Sequence, residues 1–411
     1  MTATDVRGVA GQAGYIAGGR LIGALIQAVC LALVARSLGP ADFGLFAMWY
    51  GLAVVLQACL NMGLTPLLVR IRAVGGRDAD VLRILTISRH ALFVFSSSVT
   101  LVAVLAASLL GAEWYLVALV VWVAADNLVE IYLAIPLADG RAWENAMSLV
   151  FRRSISGAIL LVGLWSNSSS ALFYSAGLAI GSTLVLYPVM RSGNSRLRES
   201  QSALTYRQLF SEARYFWYNS LATQARNVDV FVVSLLATGS SAGATTGYYA
   251  AASRLTSPLR IVPTSFASVL MPAAVRSAKA GSYRGIVRAT LLICVVSSLG
   301  FLIVAVLAPI ALPFILGSEY ADAASTIQIV CVGLVFASVS SQLNAVLQAL
   351  GHARLVSNVS VVSTAMCLLL VAALVPIGGA VGAGWGLTIS YFLQSIILAF
   401  GTVHVIRRTK K

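Results

Sequence analysis

Apolar residues fall in runs of roughly 19 to 29 positions separated by short polar connections along almost the whole chain. A helix needs about 20 consecutive apolar residues to cross a bilayer. Hydropathy places twelve such runs at approximately 14–36, 43–67, 86–110, 114–136, 147–165, 171–190, 211–237, 246–274, 286–309, 323–350, 355–377 and 382–405. Spanning β-strands would alternate apolar and polar residues over about ten positions. Runs such as LVAVLAASLL (101–110) and LLICVVSSLGFLIVAVLA (291–308) do not alternate. The pattern therefore predicts an all-α polytopic membrane protein with twelve transmembrane helices.

The connections differ sharply in charge. Arg70, Arg72, Arg77 and Arg83 follow the second run, and Arg141 follows the fourth, with Arg152 and Arg153 early in the fifth. Arg191, Arg196, Arg198, Arg207 and Arg214 follow the sixth; Arg276, Lys279, Arg284 and Arg288 the eighth; Arg354 the tenth; and Arg407, Arg408, Lys410 and Lys411 close the chain. The alternate connections are nearly empty of positive charge, with Arg36 the only exception. Cytoplasmic loops collect Lys and Arg, so both termini are predicted to be cytoplasmic. A missed run would invert every later loop, so the alternation also supports the count of twelve.

Composition narrows the function. The chain is 59% hydrophobic and 10% charged, against about 25% charged in soluble domains, which excludes an ordinary soluble enzyme. The net charge of +14 would direct a soluble protein to nucleic acid; here it reports orientation, and no nucleic-acid partner is expected. The five cysteines (Cys30, Cys59, Cys294, Cys331, Cys367) lie inside apolar runs without a CxxC pair, and His90, His352 and His404 are far apart. No metal, cofactor or catalytic grouping is expected. The opening MTATDVRGVAGQ lacks the form of a signal peptide.

The longest positive connection divides the chain into residues 1–195, a linker 196–210, and residues 211–411. The halves repeat weakly. Gly44 in LGPADFGLFA (38–47) matches Gly247 in SAGATTGYYA (241–250), LGAEWY (110–115) matches LGSEY (316–320), and Gly140-Arg141 matches Gly351-His352-Ala353-Arg354. The three offsets are nearly equal. Six runs per half keep the halves parallel, as in transporters that rock two bundles around a central cavity.

These segments also carry a family resemblance. RSLGPADFG (36–44) resembles the segment after the first helix of polysaccharide flippases; GYYAAASRL (247–255), LGSEYADAA (316–324) and QALGHAR (348–354) resemble their segments opening helix eight, opening helix ten and closing helix ten. Together they are similar to the polysaccharide-transporter branch of the multidrug/oligosaccharidyl-lipid/polysaccharide (MOP) exporter superfamily, which includes O-antigen flippases. The resemblance spans essentially the whole chain. It implies two six-helix bundles of the MATE-like fold and export of a lipid-linked oligosaccharide for lipopolysaccharide, O-antigen or exopolysaccharide synthesis.

Seven ionisable residues fall well inside the runs: Arg20, Asp126, Glu130, Arg226, Asp229, Arg254 and Arg260. A charge at the bilayer centre costs about 2.5–3.5 kcal/mol on insertion scales, so such residues face a bundle interior or a wet cavity. Arg20, Arg226, Arg254 and Arg260 are candidates for an anionic head group, because guanidinium pairs bidentately with phosphate. Arg20 has a second reading, snorkelling to head groups. Asp126 and Glu130 lie one turn apart and are candidates for ion coupling or for pairing with an arginine elsewhere. Asp229 shares a face with Arg226, and that pair could be purely structural. Pro258, Pro263 and Pro272 interrupt the eighth run, as a static kink or a hinge.

The function these observations imply is a flippase moving a polyprenyl-pyrophosphate-linked oligosaccharide across the cytoplasmic (inner) membrane by alternating access. Expected partners are that substrate and membrane lipids, with polysaccharide assembly proteins as further candidates. No GxxxxGK[ST] loop is present. The alternatives are an ion-coupled multidrug exporter of the same superfamily, a membrane-embedded polysaccharide polymerase or ligase, and an assembly scaffold. The positive excess within the runs argues against a cation exporter. The short outer loops argue against an enzyme, and a scaffold has no need of intramembrane charge.

Overall fold

The computed structural model describes residues 3–74, 78–197, 204–261, 263–264, 284–349 and 352–409. Those residues form helices α1 (Ala3–Asn61), α2 (Leu64–Val74), α3 (Asp78–Leu110), α4 (Tyr115–Ala138), α5 (Ala142–Trp165), α6 (Ser170–Asn194) and α7 (Tyr206–Gln224). They continue with α8 (Asp229–Leu236), α9 (Ala242–Thr256), α10 (Arg284–Leu316), α11 (Ala323–Ala349) and α12 (Ala353–Thr409). Short 3₁₀ turns at Ala225–Val228, Ser257–Arg260 and Ser318–Tyr320 precede α8, follow α9 and follow α10. Residues 265–274 of the eighth expected run, with Pro272, lie outside the described residues, as do Arg77, Arg198, Arg276, Lys279, Gly351, Lys410 and Lys411.

Among the described residues, eight helices are long and apolar enough to cross a membrane. Two of them, Gly18–Asn61 with 44 residues and Arg354–Val405 with 52, are about twice the length one crossing needs. Gly39 (φ 75°) and Gly379 (φ 54°) break them into pairs. Both glycines stand in the left-handed region, where a side chain would strain the backbone. Each long helix thus contains two expected runs joined without a loop. The seventh run is the sequence α7, 3₁₀ turn and α8; the eighth begins as α9 and its 3₁₀ turn. This is an all-α, multi-pass membrane protein.

Two boundaries differ from expectation. The second run was expected to continue through residue 67, but the chain breaks at Met62 (φ 48°) and Gly63 (φ 70°). A Cβ on Gly63 would stand 2.5 Å from the Ala213 carbonyl oxygen, so α7 packs directly on this break. The fifth helix starts at Ala142 instead of near 147, which places Arg152 and Arg153 deep in α5.

The chain divides into two compact units. The first comprises residues 1–30 and 49–224, the second residues 31–48 and 225–411. The first unit is built on Leu67, Leu68, Ile84, Leu85, Ile131 and Ile135, which bury α2, α3 and α4 against Leu209 and Ala213 of α7. Small residues bring other helices close. A Cβ on Gly19 would lie 2.5 Å from the Ala146 Cβ, and one on Gly181 2.8 Å from the Arg152 carbonyl oxygen. Association within a membrane relies on such packing, because lipid offers no hydrophobic contrast.

In the second unit, residues 31–48 of α1 lie against α9. A Cβ on Gly247 would fall 1.8 Å from the Pro40 carbonyl oxygen, and one on Gly44 2.7 Å from the Gly247 nitrogen. The two glycines that correspond in the sequence repeat therefore meet face to face. The Tyr320 hydroxyl donates to the Ala35 carbonyl at 3.0 Å, fixing the same segment from α10's side.

Candidate functional site

In the first unit, α4 presents Asp126 and Glu130 one turn apart, and both form ion pairs with Arg152 of α5. Arg152 is only 4% exposed. Asp126 also accepts hydrogen bonds from Gln57 Nε2 at 3.1 Å and Ser182 Oγ at 2.9 Å. Four helical segments thus converge on one carboxylate. Asn127 donates to the Gln57 carbonyl at 3.0 Å and accepts from Asn61 at 3.0 Å, extending the polar seam. Arg153 lies 6.0 Å over the Trp122 ring, which stacks on Tyr50 at 5.3 Å.

The second unit assembles the other cluster where two helices are interrupted. The turn at Ala225–Val228 carries Arg226 and Asn227, and the turn at Ser257–Arg260 carries Arg260. One pocket of about 50 Å³ is lined by Arg226, Asp229, Arg254, Arg260 and Tyr391. Arg254 donates to Asn227 through its side-chain oxygen at 2.5 Å and its carbonyl at 3.1 Å. Its Nη2 lies 4.0 Å from Asp229 Oδ1, and its buried Nε has no hydrogen-bond partner among the described residues.

Asp229 is held mainly by neutral donors: the Val230 N–H at 2.7 Å, the Tyr249 hydroxyl at 2.9 Å and Ser253 Oγ at 3.3 Å. Among the described residues, Arg226 hydrogen-bonds to no carboxylate. It donates to Ser363 Oγ at 2.7 Å, Gln394 Oε1 at 2.9 Å and Thr364 Oγ1 at 3.3 Å, and lies 4.6 Å over the Tyr391 ring. Arg260 covers the same ring at 5.5 Å and is exposed. Three guanidinium groups therefore share a pocket with one carboxylate.

A family model for polysaccharide biosynthesis proteins matches residues 9–278. The chain belongs to that family. The chain also shares its fold with solved structures. An inward-facing multidrug-resistance MATE family transporter of the MOP superfamily superposes with a TM-score of 0.72 at 15% identity, covering 94% of this chain and 95% of that one. The lipid II flippase MurJ, in an inward closed conformation, gives 0.73 at 12% identity over 95% and 88%. A MOP superfamily transporter from Pyrococcus furiosus gives 0.64 at 14% identity over 97% and 96%. Among curated proteins, none matches the sequence. The MOP fold implied by the sequence resemblance is thus the fold observed.

Of the residues singled out in the sequence, the second unit gathers Arg226, Asp229, Arg254 and Arg260. Asp126 and Glu130 lie together in the first. Arg20, also in the first unit, is exposed and has no ion-pair partner among the described residues. Arg152 had been read as a charge near a helix end. Its depth follows from the helix starting at Ala142, about 15 Å away along the axis. Asn227, Ser363, Gln394 and Tyr391 carry no charge, so nothing in the hydropathy pattern marked them.

Proposed function

We propose that this protein is a flippase for a polyprenyl-pyrophosphate-linked oligosaccharide, working by alternating access in the cytoplasmic membrane with both termini cytoplasmic. The two halves at 1–195 and 211–411 would be its repeated bundles, joined by the linker 196–210. The observation that carries the reading is the convergence of Arg226, Arg254 and Arg260 around the single carboxylate of Asp229. The formal charge there is +2, within helices that lie between apolar spans. A desolvated cationic site favours an anionic ligand, and the planar fork of arginine matches phosphate oxygens. The pocket volume of about 50 Å³ has room for a small anionic group and not for a glycan. It would anchor a phosphate while the sugars lie beyond it.

The family assignment and the MurJ-like fold support this reading. The rival cation exporter needs uncompensated carboxylates. Asp126 and Glu130 are already held by Arg152, and Asp229 faces three cations. The arrangement offers binding and no reacting group, so no chemical step is assigned. In cells lacking their own flippase, Arg254→Ala should abolish surface glycan export while the protein still inserts. Arg254→Lys should be partly defective, because a point charge cannot reproduce the fork. Wild-type export by Arg254→Ala, with Arg226→Ala and Arg260→Ala equally active, would remove the reading.

A further inference from the structure

One groove of the first unit is lined by none of the residues of either charge cluster. It is bounded by α3, α4 and α6 and has a volume of about 830 Å³. Its floor is apolar, with Leu92, Phe93, Val121, Leu128 and Leu186 among the lining side chains, and one end is formed by Arg89 and His90. No carboxylate lines it. Arg89 makes no ion pair among the described residues; its nearest aromatic partner is the Tyr132 ring at 5.7 Å. Its Nε is buried without a hydrogen-bond partner, as is the Tyr132 hydroxyl.

The depth of this cation follows from the sequence of α3. Residues 91–110 contain no ionisable side chain, and twenty helical residues span about 30 Å, the thickness of the hydrocarbon core. Arg89 and His90 immediately precede that stretch. A bilayer centred on that stretch puts them at head-group level, on the side of the Arg-rich connections. From there the groove runs along α3 to Thr100, into hydrocarbon depth. The α3 surface beside it is apolar and open, with Phe93 72% and Val94 62% exposed.

We infer that this groove is a binding site for an anionic glycerophospholipid of the bilayer, with its phosphate at Arg89 and one acyl chain along α3. Basic pockets between helices at the cytoplasmic face suit such head groups. The unpartnered guanidinium and the absence of lining carboxylates supply the charge complementarity; the apolar floor supplies the chain site. The volume falls within the range of sites for drug-sized ligands, about 300–1,000 Å³. That admits one acyl chain. The inference does not depend on the ligand of the second unit's pocket.

The test uses the full-length protein in liposomes and phosphatidylglycerol carrying a diazirine midway along one acyl chain. After illumination, adducts should map to peptides containing residues 91–100, 121–128 and 186–190. Their yield should exceed that of the matched phosphatidylcholine probe by about fivefold, the effect of one arginine at the surface. Arg89→Gln should reduce the phosphatidylglycerol yield to the phosphatidylcholine level. Should Arg89→Gln fail to fold, competition on the wild-type protein decides: excess unlabelled phosphatidylglycerol should suppress the adducts and excess phosphatidylcholine should not. Equal labelling by both probes, adducts confined to other helices, or stronger suppression by a polyprenyl phosphate would overturn the inference.

Discussion

Removing Arg152 should be among the most damaging single changes in the first unit. Arg152→Ala deletes the cation paired with both Asp126 and Glu130. The two legs are unequal. The Glu130 side chain is 40% exposed, so its pairing is worth at most about 1 kcal/mol, as for surface ion pairs. The Asp126 side chain is 15% exposed and would keep only Gln57 and Ser182 as hydrogen-bond donors, with Arg153 as the remaining nearby cation. Breaking a buried pair by deleting one partner costs about 3–5 kcal/mol, because a charge is left uncompensated. Arg152→Ala should therefore lose about that much stability, and Glu130→Gln less than about 1 kcal/mol. Replacing the whole triad (Arg152→Met, Asp126→Asn, Glu130→Gln) should recover most of the loss, since a buried ion pair exchanged for neutral groups often breaks even. Denaturation in detergent micelles at fixed lipid content measures all three. Arg152→Ala within about 1 kcal/mol of wild type, or a triple variant no better than Arg152→Ala, would refute the reasoning.

Gly247→Ala should cost at least about 1–3 kcal/mol in the same assay, because its Cβ would collide with the Pro40 carbonyl oxygen. Gly300→Ala, where nothing lies within 4 Å, should be neutral or slightly stabilising. Single cysteines at Asn167 and Gly239 should react with an impermeant thiol reagent from outside, and one at Ser195 only after permeabilisation. Outside labelling at Ser195 would invert the topology. Arg36→Ala should leave export close to wild type, since the exposed Arg36 makes one long hydrogen bond, to the Phe314 carbonyl at 3.3 Å.

The helices were legible because intramembrane backbone must satisfy itself, which forces long apolar runs. Where helices break was harder to read. Gly39 and Gly379 reverse the chain without a polar loop, and the break at Met62–Gly63 answers to α7 packing far along the chain. Intramembrane charge picked out Arg226, Arg254, Arg260 and Asp229, which the structure brings to one pocket. The same criterion passed over Arg152, because five residues of error at the start of α5 made a deep arginine look peripheral. The expected face-sharing of Arg226 and Asp229 did not foresee Asn227, Ser363 and Gln394. Neutral amides and hydroxyls on α12 can hold a guanidinium as a carboxylate would, and hydropathy does not distinguish them from ordinary span residues.

The most direct test of the cationic pocket is translocation in proteoliposomes by purified protein. A fluorescent pyrophosphate-linked oligosaccharide lipid and a matched lipid with a neutral linkage would be compared, with and without an imposed negative-inside potential. Each negative charge moving outward gains about 2.3 kcal/mol per 100 mV. The account predicts that wild-type protein flips the pyrophosphate lipid faster under that potential and leaves the neutral lipid largely unmoved. It also predicts that the combined Arg226→Gln, Arg254→Gln and Arg260→Gln variant moves neither lipid. Equal flipping of both lipids, or unchanged transport by the triple variant, would contradict it.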